Sequence, residues 1–156
     1  MENLMNIASY ICSRYESEYG TKIDEMKLHK LLYFAQRESL IQNREPLFDA
    51  VFWGWKYGPV IKEIRSAYRD DTFYSTIPQD VIERTACIMN KVFEGYAWKD
   101  SWSLSRLTHG EYAWKHSREG ISESDNSDNP MCLEDMRKDA DRIRERREMR
   151  ARLGLS

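Results

Sequence analysis

Residues 27–36, KLHKLLYFAQ, limit the fold more than any other stretch of this chain. Leu28, Leu31, Leu32 and Ala35 recur at helical spacing, and Tyr33 and Phe34 widen that stripe well beyond one face. A helix with so broad an apolar band has to be covered from several sides, so the remaining elements are expected to wrap around it. Asp24 suits its N-cap, and Glu25 falls in the first turn, where the helix dipole favours negative charge.

The flanking patterns supply the cover. Leu4, Ile7, Ala8, Ile11, Cys12, Tyr15 and Tyr19 form one face of a preceding helix, which Gly20 is placed to end. After a turn at residues 43–46, the alternation of bulky and varied residues over 51–57 predicts a short extended arm or hairpin. Pro59 suits the first position of a third helix with Val60, Ile61, Ile64, Ala67 and Tyr68 inside. Pro78 opens a fourth, with Val81, Thr85, Ile88, Met89, Val92 and Tyr96 as its stripe and a stop near Gly95. Ser101 or Ser103 can cap a short fifth helix, interrupted at Gly110. The expected fold is mainly α: a compact five- to six-helix bundle with the extended arm between the second and third helices.

Residues 119–130, EGISESDNSDNP, are polar and acidic and predict a mobile linker after a helical domain spanning 1–118. Residues 131–156 form a charged, Arg-rich helical tail. Leu133, Met136, Ala140 and Ile143 give it a short apolar seam, while residues 134–152 carry eight basic and six acidic side chains. So weak a seam predicts loose docking, or full ordering only against a partner, with Met136 and Ile143 as contacts.

Function classes narrow quickly. The net charge of −2 gives no general attraction to phosphate, and the acids interleaved with Arg142, Arg144, Arg146, Arg147, Arg150 and Arg152 make the tail a poor nucleic-acid track. No apolar run approaches the roughly 20 residues needed to cross a bilayer, and the first ten residues lack a signal-peptide layout. Cys12, Cys87 and Cys132 are odd in number and far apart, which suits reduced thiols in a cytoplasmic protein. His29, His109 and His116 have no metal-ligand spacing, so no metal or cofactor is expected. Ser103 and Ser105 near His109 suit helix capping better than nucleophilic catalysis, and no catalytic residue is expected.

Two constellations remain. In FDAVFWGWKYGPVIKEI, residues 48–64, Trp55 suits packing, whereas Trp53 suits packing or a partner surface about equally. Alternation points both rings to the same side. In LTHGEYAW, residues 107–114, His109 near a helix end suits a structural role beside Trp114.

Together with KLHKLLYFAQ, these blocks resemble the Panacea domain of SocA-like antitoxins and related phage-associated bacterial proteins, over about residues 4–118. Lys27, Leu28, Lys30, Leu31 and Tyr33 match the first block of the family pattern, Trp55, Gly58, Pro59 and Val60 the second, and Thr108, His109 and Trp114 the third. Members usually carry alanine where this chain has Gly54, a departure expected to loosen the arm. The resemblance implies a non-enzymatic antitoxin of a type II toxin–antitoxin system, which binds a cognate protein toxin directly. An adaptor that delivers the toxin to a cytosolic AAA+ protease is the alternative, and a nucleic-acid-binding regulator is less favoured. Most matching residues are expected to define the fold. Lys27, Lys30, Trp53, Tyr57 and His109 are the ones expected to face a partner.

Overall fold

The computed structural model describes residues 1–155, so Ser156 at the end of the expected tail lies outside the described residues. Helix α1 spans Leu4–Tyr19 and α2 spans Glu25–Asn43. Strands β1, Trp53–Trp55, and β2, Gly58–Val60, form a small hairpin. Helices α3, Lys62–Asp70, and α4, Gln79–Val92, follow, and α4 continues as a π-helical turn over Phe93–Ala97. Then come α5, Ser101–His109, α6, Tyr112–Ser117, and α7, Leu133–Arg152. The fold is mainly α, as expected, with seven α-helices among the described residues.

Helix α2 is the axle. Every residue from 27 to 41 is buried, polar ones included. Each of its buried leucine, isoleucine and phenylalanine side chains contributes about 1.5–3 kcal/mol when removed from water. The side-chain oxygen of Asp24 accepts from the Lys27 amide as N-cap, and Glu25 occupies the first turn. Gln36 fixes where the chain returns: its Nε2 donates to the Phe48 carbonyl, and its Oε1 accepts from the Leu47 and Phe48 amides.

Three local expectations are corrected. Pro59 lies in β2, paired with Gly54, and α3 starts only at Lys62. Proline is tolerated there because a two-stranded sheet leaves one side of each strand without ladder bonds. Helix α4 does not stop at Gly95, because the π-helical turn runs through it. The cap of α5 is Asp100, whose carboxylate accepts from both the amide and hydroxyl of Ser103.

Helix α7 has the short apolar seam its sequence suggests, with Met136 and Ala140 buried and Ile143 half-buried. Polar anchors make up the difference. Asp139 accepts from the Tyr112 and Ala113 amides at the start of α6, and Asp135 pairs with His116 Nδ1 at 2.6 Å. At the far end of α2, Arg144 donates to the carbonyls of Leu40 and Ile41, and Arg147 grips the Glu38 carboxylate with two nitrogens. C-terminal carbonyls of α2 and a buried acid are thereby bonded by arginines. Beside its short seam, α7 is thus held by a polar clamp to α2 and α6.

Residues 119–130, expected as a linker, cross the hairpin and bond to it. The Gly54 amide donates to the Asn129 carbonyl at 2.8 Å, and the Met131 amide to the Phe52 carbonyl at 2.7 Å. Arg118 gathers the carbonyls of Ser122 and Asp125. Among the described residues, no helix is long and apolar enough to cross a membrane.

Candidate functional site

The aromatic hairpin is held by its carbonyls. Arg118 donates to Gly54 O, the Trp114 indole to Trp55 O, Ser105 to Tyr57 O, and Lys30 to Pro59 O. Four donors from α2, α5, α6 and the residue after α6 thus converge on six residues of backbone, 54–59. Trp114 is itself fixed by stacking on His109, ring centroids 4.0 Å apart, with Arg118 packed over its ring. His109 is half-buried, and burial pushes its imidazole below the usual value. The stack places it against Trp114, at the helix end where the sequence sets it.

Both hairpin glycines are required by close approach. A Cβ on Gly54 would run into Ser117 Oγ and come within 3.1 Å of its Cβ, so glycine here lets the arm sit tightly instead of loosening it. Gly58 has φ +112°, and a Cβ there would lie 2.6 Å from Thr108 Oγ1 and 2.7 Å from Lys30 Cε. The hairpin presses directly onto Lys30.

Between the N-terminal half of α2, the hairpin and residues 126–128 lies a cleft of about 680 Å³. Its walls include Met26, Trp55, Tyr57 and Val60, with Lys30 at one side. The acids that line it are already engaged. Glu25 accepts from His29 Nε2 at 3.0 Å and Arg65 at 3.1 Å. Asp128 accepts from the Trp55 indole at 3.0 Å and Lys62 at 3.1 Å. Hydrogen bonds from His29 and from Trp55 respectively are the largest influences holding these carboxyls below their usual range.

His29 is neutral by geometry. The Ile61 amide donates to its Nδ1, which must therefore be bare, leaving the proton on Nε2 for Glu25. Burial holds its pKa below the usual value.

Lys30 is different. It is 1% exposed, and among the described residues its ammonium makes one long hydrogen bond, 3.4 Å, to the Pro59 carbonyl. Burial pulls its pKa from 10.5 to about 7, against the weaker pull of Glu25 and Asp24. Lys56, also on the lining, lies over the Tyr57 ring at 5.2 Å. At the rim Tyr57 meets Trp102 edge to face at 5.3 Å, and both are exposed, 46% and 56%. Trp98 is a further exposed ring, at 62%.

The residues expected to face a partner scatter. Lys27 is buried, donating to Ala97 O and Tyr15 OH, and Met136 is core. Neither can meet a partner in this arrangement, because each fills the interior beneath a neighbouring element. Trp53 is half-buried beneath Lys62, whose Nζ lies 3.6 Å from the ring centroid, and Ile143 packs against the core. Lys30 and Tyr57 do come together, as lining residues of the cleft. Sequence reasoning passed over Trp102, Lys56, Arg65 and Asp128. Trp102 was findable, as a large ring in an otherwise polar helix start.

Among the described residues, no group of three or more His, Cys, Asp or Glu is placed to hold a metal ion. No curated protein and no solved structure matches the chain. Residues 28–115 match the family model described as antitoxin SocA-like, Panacea domain. That span carries α2 from Leu28 onward, the hairpin that closes on it and the Thr108–Trp114 support beneath, and the chain belongs to the SocA-like Panacea antitoxin family.

Proposed function

We propose that this protein is the antitoxin of a type II toxin–antitoxin system and neutralises a cognate protein toxin by binding it, without catalysis. Family membership supports a protein partner. The observation that carries the reading is the exposed Tyr57–Trp102 pair beside an open cleft, on a hairpin braced by four side-chain donors. Exposed aromatic rings on a rigid support are the usual anchors of protein interfaces. Because the support is preformed, little ordering cost is left for the moment of binding.

Co-expression with the product of the neighbouring reading frame tests this. The expected outcome is rescue of growth and co-purification of a stoichiometric complex, both lost in a Tyr57→Ala/Trp102→Ala variant. Rescue accompanied by disappearance of the toxin, only while a cytosolic AAA+ protease is active, identifies the adaptor mechanism instead.

A further inference from the structure

The cleft holds a buried cation that the chain itself leaves without a carboxylate. Glu25 and Asp128, the acids on its walls, are each occupied by two donors. Lys30 has only the long bond to Pro59 O, although an ammonium can donate three times. Other buried cations are answered more fully: Arg37, its i+7 neighbour on the same helix face, is paired with Glu111, Lys27 donates to Ala97 O and Tyr15 OH, and Arg118 to the carbonyls of Gly54, Ser122 and Asp125.

We infer that the cleft receives an acidic side chain of a partner protein, flanked by apolar residues, whose carboxylate completes Lys30. This deepens the proposed function and rests on it. Charge complementarity selects the anion: Lys30 and Lys56 are the lining cations without an ion-pair partner among the described residues. Continuity selects a chain segment over a free small acid. Tyr57 lines the cleft and also touches Trp102 outside it, so an occupant reaching Lys30 continues onto an exposed aromatic rim. The apolar walls at Met26, Trp55 and Val60 suit the flanking side chains. A carboxylate placed there gains a charge-assisted hydrogen bond to an ammonium that is itself buried.

The test uses the full chain with ¹³C-labelled lysine, the Lys30 Cε signal being assigned by its absence from Lys30→Met. The probes are the blocked peptides acetyl-Leu-Asp-Leu-amide and acetyl-Leu-Asn-Leu-amide, and sodium propionate. The aspartyl peptide is expected to move the Lys30 signal and to bind about tenfold or more tighter than the asparaginyl one, the size of one hydrogen bond to a charged group. In Lys30→Met that preference disappears. Equal binding of the two peptides, or no shift with either, overturns the inference. Propionate binding as tightly as the aspartyl peptide overturns the chain-segment occupant. If Lys30→Met still neutralises the toxin fully, the antitoxin reading stands and this one falls.

Discussion

Two buried cations seven residues apart on α2 meet opposite fates. Arg37, at the end covered by α7, donates to Glu111 and, at 2.6 Å, to the Tyr96 hydroxyl, and packs over the Phe34 ring at 4.8 Å. Tyr33 also donates to Glu111. Burial works against the guanidinium charge, but Glu111 overrides it and holds the pKa above the usual value. Lys30, at the end covered by the hairpin, has burial without the acid, and its pKa falls. The same helix face thus has a closed end, where every charge is answered, and an open end, where one is not. An unanswered buried charge costs stability, and proteins tolerate that cost mainly where something else is to be bound.

The largest expected loss of stability is at the closed end. Glu111→Ala leaves Arg37 buried and unpaired and should cost about 3–5 kcal/mol in chemical denaturation. A loss below about 1 kcal/mol would mean that Arg37 reaches water and that the two ends do not differ.

Gly58→Ala should come next, at about 3 kcal/mol, because it combines a left-handed backbone with a Cβ driven against Lys30 and Thr108. Thermal denaturation measures it, and a shift of the Lys30 signal in the same variant would locate the strain.

Lys30→Met should act in the other direction, stabilising the fold by up to about 5 kcal/mol near pH 6. The sign follows from proton binding. Between pH 7 and 10.5 the unfolded lysine keeps a proton that the folded one has lost, so wild-type stability rises with pH across that window. The advantage of methionine should therefore be full below pH 7 and gone near pH 10.5. An advantage independent of pH would show that it comes from packing and not from charge.

The smallest effect belongs to Arg147→Ala. Its guanidinium is partly exposed while Glu38 is buried, so screening limits the loss to about 1 kcal/mol, measured as a fall in Tm. A loss above that of Glu111→Ala would place the anchor of the closed end in α7 instead of α2.

The axle was legible in the sequence because Leu28, Leu31, Leu32, Tyr33, Phe34 and Ala35 make an unusually broad apolar band, although the burial of Lys27, His29 and Lys30 beside it was not. The inner faces of α1 and α4 were legible from their apolar periodicity. The clamp of α7 was not. Arg144 and Arg147 reach carbonyls and a carboxylate about a hundred residues away in sequence, and spacing alone cannot tell such arginines from solvated ones. Pro59 misled because proline opens helices and tolerates strand edges alike, and the pairing with Gly54 is a tertiary choice. At the site, Lys30 and Tyr57 were singled out as partner-facing residues, but the cleft joining them depends on residues 126–128, whose polar composition reads only as linker.

The contrast between the two ends comes down to the protonation of a single amine. A pH titration of ¹³Cε-labelled lysine in the folded chain measures it directly. One signal, absent from Lys30→Met, should titrate near pH 7 while the exposed lysines titrate in the ordinary range. A Lys30 midpoint near 10.5 would contradict the account, since the amine would then be solvated or paired and the cleft would have no charge left to satisfy.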